Sequence, residues 1–247
     1  MKITFLGSSH GVPSAERFCS CTMVEVGDAV YFIDCGAPLI DILIRRGVDL
    51  TKIRAIFTTH MHGDHVNGIV PMVDLCNWYF MDTDFDIYLT EEYGLKVFPD
   101  MIAAVEGWPV DSKRLRFKLM TPDFVYSDKN IRLTPIPNKH LAHDNRPTYS
   151  YLLEAEGKRV IFTGDMSQRL EQNDFPAYPL KHNVDLVISE MAHFDVCHIL
   201  PYLEKCKTDK MLFNHVFPLD KLDRINALSG KFGYPIHTVA DGDEIEL

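Results

Sequence analysis

The stretch "TTHMHGDHVNGI", from Thr58 to Ile69, places three histidines and one aspartate between His60 and His65. Folding gains nothing from imidazoles set side by side, whereas a shared ligand needs them at such a spacing. His60 and His62 follow the apolar run "IRAIF" and stand one residue apart, so at the end of an extended strand they would project to the same side. Gly63 then lets the chain turn sharply, and Asp64 and His65 form a second pair of ligand-type residues beyond it. Imidazole and carboxylate donors together suit Zn²⁺, Mn²⁺ or Fe²⁺ better than Ca²⁺ or Mg²⁺. The H-x-H-x-D-H order therefore reads as two adjoining clusters of metal ligands.

Such clusters need strands whose ends can deliver them. Short apolar runs finishing in Gly, Asp or His recur along the chain and read as strands opening into loops. "KITFLGSSH", "AVYFIDCG" and "IRAIFTTHMHGDH" begin near residues 3, 30 and 54, and "IRLTPIPNKH", "RVIFTGD" and "VDLVISEMAHF" begin near 131, 160 and 185. The matched spacing, with Asp or His at matching ends, is a weak internal repeat. Two similar halves packed sheet against sheet would bring these ends to one edge. Between the strands, "PLIDILIRRGVDL" has Leu39, Ile40, Leu43 and Ile44 at helical spacing with Gly47 as its stop. A second helix is expected from Asp64, bent or broken by Pro71, and a third in "LDKLDRINALSGKFG", with Leu222, Ile225 and Leu228 on one face. "IHTVADGDEIEL" reads as one closing strand with a turn at "DGD". The expected fold class is α/β, two sheets sandwiched between helices, as a single domain over residues 1–247.

Composition narrows the function. A hydrophobic share of 46% and a charged share of 24% are those of a globular protein. The formal net charge of -10, from 35 acidic and 25 basic residues, disfavours a nucleic-acid backbone as main partner, and a small anionic substrate fits the acidic chain better than a polyanion does. No apolar stretch approaches a transmembrane length, so no membrane partner is expected. No signal-peptide pattern follows Met1, and the six cysteines fit reduced thiols, so the expected location is cytoplasmic. Cys19 and Cys21 lack a second pair at metal-ligand spacing. The oligomeric state is open, a homodimer being one option.

The first motif resembles the signature of the metallo-β-lactamase superfamily. "FLGSSHGVPSAERFCSC" followed by "YFIDCG" resembles the opening of its ribonuclease Z and phosphodiesterase branch, "VIFTGD" the strand with the bridging aspartate, and "MLFNHV" the strand with the last histidine. The resemblance implies a four-layer αββα sandwich with two divalent ions, Zn foremost and Mn or Fe as alternatives. It implies His60 and His62 at one metal, Asp64 and His65 at the other, Asp165 bridging, and His215 completing the second site. The remaining ligand of the first site comes from "IPNKHLAH", as His140, with His143 the alternative. Asp34 is expected to hold the loop of the first motif rather than to bind metal. The branch carries a histidine where this chain has Ser189, so His193, oriented by Glu190, is the candidate proton donor, with Asp64 also orienting the nucleophile. The expected function is a dinuclear hydrolase of a small phosphodiester. Alternatives are a lactone, thioester or amide hydrolase, a tRNA-processing endonuclease, and a non-catalytic metal-binding protein. The stretch Pro71 to Asn130 is expected to fold as a compact acidic wall beside the site.

Overall fold

The structure is a computed structural model that describes residues 1–12, 14–170 and 173–247, Arg169 by its backbone alone. It divides into two compact units. The first comprises Met1–Gly7, Gly11–Thr121 and Asp241–Glu246, and the second Ser8–His10, Pro122–Ala240 and Leu247.

In the first unit the strands are β1 (Lys2–Gly7), β2 (Cys21–Val26), β3 (Ala29–Ile33), β4 (Ile53–Phe57), β5 (Phe85–Leu89) and β6 (Leu115–Leu119). In the second they are β7 (Tyr126–Ser127), β8 (Arg132–Pro137), β9 (Tyr149–Ala155), β10 (Lys158–Phe162), β11 (Leu186–Met191), β12 (Met211–Val216) and β13 (Ile236–Thr238). The last strand, β14 (Glu244–Glu246), returns to the first unit. The sheets run β14-β1-β2-β3-β4-β5-β6 and β7-β8-β9-β10-β11-β12-β13. In both, the first three pairings are antiparallel and the last three parallel. The repeat read from the sequence is thus a repeat of topology: β1, β3 and β4 occupy the places of β8, β10 and β11. Parallel strands covered on both faces read as continuous apolar runs, and β11 and β12 are buried along their whole length.

Each unit has its own core. In the first, α1 (Leu39–Arg46) buries Leu39, Ile40 and Leu43 and ends at Gly47, whose φ of +67° is the left-handed stop that the sequence suggested. Ile44, expected on the same face, is 50% exposed. The helix expected from Asp64 is two: α2 (Gly63–Val66) and α3 (Ile69–Trp78). The break falls at Asn67–Gly68, ahead of Pro71, which sits in the first turn of α3 where its missing N–H has no helical acceptor. The third expected helix is shortened to Lys221–Asn226. Pro71 to Asn130 is no separate wall: besides α3 it supplies β5, β6 and the helix α4 (Glu92–Glu106) to the first unit, and β7 to the second. Trp78, Tyr79 and Trp108 are 45%, 65% and 49% exposed. The tail is not one strand, since β13 and β14 join different sheets. Among the described residues no helix is long and apolar enough to cross a membrane.

Candidate metal centre

In the first unit the ligand-type residues follow β4, at the carboxyl end of a parallel strand, where open α/β sheets place ligands. The strand stops at Phe57, so His60 and His62 lie in the loop beyond it, and their proximity does not come from strand alternation. Their rings nevertheless stand 4.6 Å apart, with His60 Nε2 2.9 Å from His62 Nδ1. The His65 ring is 4.1 Å from that of His60, and His65 Nε2 is 3.5 Å from Asp64 Oδ2. His60 and His65 are buried, while His62 and Asp64 are half-buried.

Asp34, at the end of β3, organises this loop. Its Oδ1 accepts from the Thr59 N–H at 2.7 Å, and its Oδ2 meets His65 Nδ1 at 2.7 Å. Thr59 Oγ1 in turn lies 3.1 Å from His60 Nδ1. Gly36 lets the backbone after Asp34 pass against the motif: a Cβ there would fall 1.6 Å from the Asp64 carbonyl oxygen.

In the second unit three imidazoles face the buried carboxylate of Asp165, which follows β10 as Asp34 follows β3. His140 Nε2 and His193 Nε2 lie 3.8 and 3.7 Å from Asp165 Oδ2, and His215 Nε2 lies 3.3 Å from Oδ1. His215 sits where the β11–β12 register shifts between Ser189 and Met191, with φ +52°, so a bulge re-aims its side chain. His10 stands beside it, rings 5.8 Å apart, and stacks on Phe217 at 4.0 Å.

His140 comes three residues after β8 ends at Pro137, not on the strand itself. Asn138 fixes it, accepting the His140 N–H at 3.2 Å and donating to the Asp165 carbonyl at 3.0 Å. Burial pushes the His140 pKa down, against the pull of Asp165, and so favours the neutral ring that binds metal. His143 is elsewhere: its side chain is 72% exposed and pairs with Asp144 at 3.1 Å.

Glu190 is buried at the end of β11. Both its oxygens lie 2.9 Å from His193 Nδ1, and it accepts from the backbone N–H groups of Met166, Ala192 and His193. Burial works to raise its pKa, but the facing His193, with His215 beyond it, holds it below the usual carboxylate range. His193 is thereby tied at Nδ1, leaving Nε2 toward Asp165. Asp165, Glu190 and His193 themselves offer ligand atoms within 4.8 Å of one another.

The donor set suits a divalent metal. Ligand atoms about 2.1 Å from a tetrahedral ion lie about 3.4 Å from one another. The nitrogen–oxygen separations around Asp165 and between Asp64 and His65 run from 3.3 to 3.8 Å, longer than good hydrogen bonds and close to that edge.

Two residues that sequence reading passed over support this half. Asp174 is buried and accepts from the Lys139 and Ser167 N–H groups at 2.7 Å each, tying the loops beside His140 and Asp165 together. Lys221 is buried with its Nζ on the loop that carries His193. Neither stands near a recognisable motif, so no local signal marks them.

A family model described as the anti-Pycsar protein Apyc1 matches residues 1–218. A ribonuclease Z of Thermosynechococcus vestitus is 29% identical over 202 residues, which are 79% of this chain and 47% of that protein. The chain thus spans about half the length of that relative. Among solved structures, the metallo-β-lactamase fold protein YhfI from Bacillus subtilis superposes with a TM-score of 0.78 at 19% identity, covering 100% of this chain and 99% of that one. The short form of human tRNase Z superposes with a TM-score of 0.74 at 17% identity, covering 100% of this chain. The fold is of the metallo-β-lactamase type, in the α/β class expected from the sequence.

Proposed function

The chain belongs to the family of the anti-Pycsar protein Apyc1, in the ribonuclease Z branch of the metallo-β-lactamase superfamily, and on that premise we propose that it is a dinuclear metal-dependent hydrolase of a small phosphodiester. The observation that carries the reading is the set of imidazoles around Asp165, with His193 tied to Glu190 at 2.9 Å. His60, His62, His140 and Asp165 would hold one ion, and Asp64, His65, Asp165 and His215 the other. Two bound divalent ions, Zn²⁺ foremost, supply Lewis acidity that lowers the pKa of water toward neutrality and offsets substrate charge.

The chain's own groups do the rest. Asp64 accepts a hydrogen bond from the attacking water and so aims its lone pair at phosphorus. Glu190 holds His193 Nδ1, fixing the ring so that Nε2–H faces the leaving oxygen. As the P–O bond breaks, that oxygen takes the Nε2 proton and departs as an alcohol, and the proton that the attacking water sheds restores His193. The single domain of residues 1–247 and a cytoplasmic location belong to the same reading.

The test is a metal-reconstituted assay of bis(p-nitrophenyl) phosphate beside a lactone and a thioester, with elemental analysis of the protein. Phosphodiester hydrolysis at two metal equivalents supports the reading. Turnover of only the lactone or thioester, or saturation at one equivalent, rejects it. The similarity to ribonuclease Z favours a second reading, cleavage of precursor tRNA.

A further inference from the structure

The loop from Met191 to Phe194, which carries His193, is held by two buried charges. Its amides go to an anion: Glu190 Oε2 accepts the N–H groups of Ala192 and His193 at 2.8 and 3.1 Å. Its carbonyls go to a cation: Lys221 Nζ donates to the Met191, Ala192 and Phe194 oxygens at 2.9, 3.3 and 2.7 Å. An ammonium has three N–H donors, and these three carbonyls use all of them. Lys221 is only 6% exposed, although lysine is seldom buried so fully without a partner.

The same helix makes a second attachment one turn later. Arg224 reaches Asp195, which caps the next helix, Val196–Leu203, at 3.0 and 2.6 Å. The chain on either side of His193 is therefore docked on residues 221–226 by charge-assisted bonds, which are stronger than neutral ones. The carbonyl that Lys221 passes over is that of His193 itself.

We propose that Lys221 is a positioning residue for His193: by binding the carbonyls on both sides, it sets the loop curvature that keeps Nε2 of His193 facing Asp165, 3.7 Å away. The inference rests on the reading of His193 as proton donor given above. Lys221 touches neither substrate nor metal ligand. It acts through the backbone, and its loss therefore impairs protonation of the leaving group and leaves metal binding intact. An isolated apolar replacement leaves three carbonyls without their donor, and the loop then relaxes toward water.

The experiment uses two phosphodiesters that differ in leaving group, p-nitrophenolate against a simple alkoxide, on the metal-loaded full chain. A proton donor is worth on the order of 100-fold for the poor leaving group and little for the good one. His193→Gln defines that signature, and Lys221→Met should reproduce it at wild-type metal content, with no further loss in the double variant. Lys221→Arg, which keeps charge and donors, should retain most alkoxide turnover, and it decides the matter should Lys221→Met not fold. If His193→Gln shows the split and the Lys221 variants lose both substrates equally or neither, the positioning role is wrong and the proton donor stands. If His193→Gln shows no split, both fall together.

Discussion

Asp34 and His65 meet through a 2.7 Å contact between Oδ2 and Nδ1, with the carboxylate carried by a residue whose backbone is left-handed, φ +63°. A non-glycine residue at that φ is uncommon, and Asp and Asn tolerate it best. The strained turn lets one side chain bind the Thr59 amide and the His65 ring at once, which fixes the tautomer and leaves His65 Nε2 toward Asp64. Second partners of this kind are worth roughly 10- to 100-fold in metal affinity. Asp34→Asn keeps the turn and removes the charge, and should weaken metal binding within that range in a chelator competition titration. Unchanged affinity would show that the contact is structural only.

His140 and His143 offer a paired test. Only His140 is buried beside Asp165, and His143 points to solvent beside Asp144. His140→Ala should lower bound metal and abolish turnover, while His143→Ala should leave both near wild type by elemental analysis and assay. The opposite pattern would remove His140 from the ligand set.

Gly36 should be intolerant for a steric reason and Gly47 tolerant by comparison. A Cβ at Gly36 meets the Asp64 carbonyl oxygen at 1.6 Å and that of Ser20 at 3.0 Å, both backbone atoms that cannot swing away. Gly47, at φ +67°, has nothing within 4 Å of its Cβ direction. Gly36→Ala should cost on the order of 3 kcal/mol and displace Asp64. Gly47→Ala should cost about 1 kcal/mol through its φ alone. Urea unfolding of the two variants would separate them, and equal losses would contradict the steric account.

What the sequence disclosed follows how local each determinant is. The ligands from His60 to His65 were legible because their spacing lies within one loop, and the repeat because matched strands deliver matched polar ends. Asp174 and Lys221 were hidden because their roles arise from backbone groups 27 to 35 positions away in the chain. Helix α4 was missed for a different reason. Pro99 lies inside it, and apolar Tyr93, Met101 and Val105 line its exposed side, so the polar–apolar alternation that marks a surface helix is blurred. The tail was misread because period-2 patterning identifies a strand without saying which sheet it joins.

Asp195 gives a pH test away from the metal ligands. The hydrogen bond from Arg224, then that from the Cys197 N–H, hold its pKa well below the ordinary carboxylate range. A carboxyl whose folded pKa is depressed contributes stability that is complete above its unfolded pKa, about 3.9. That contribution is lost as pH falls through the folded value. Wild type should therefore exceed Asp195→Asn in urea midpoint at pH 7, and the gap should close below about pH 4. The exposure of the pair makes the gap small. A gap constant from pH 7 to pH 2 would show that the pair's charge is not its source.

Substrate class turns on charge outside the metal ligands. The run "KRLRFK" on and before β6 is the part of the chain most like a nucleic-acid stripe, yet three of its four cations are already engaged. Arg116 binds Asp84 at 2.6 Å and Asp86 at 2.5 Å, Lys118 binds Asp86 at 2.7 Å, and Arg114 binds Asp111 at 2.9 Å. The acids of "MDTDFD" thus neutralise the neighbouring strand. A phosphate backbone would have to displace these pairs, on a chain whose net charge is already -10. Several phosphate contacts would also impose a steep salt dependence on binding. We expect hydrolysis of a small activated phosphodiester, abolished by Asp64→Ala, and no submicromolar binding of precursor tRNA in a filter-binding titration at low salt. Tight binding that collapses between low and physiological salt would instead establish the endonuclease reading. Disrupting the acidic partners, with Asp84→Asn and Asp86→Asn together, should raise nonspecific RNA affinity and leave phosphodiester turnover unchanged. Unaltered affinity in that variant would mean that paired charges on β6 are not what keeps RNA away.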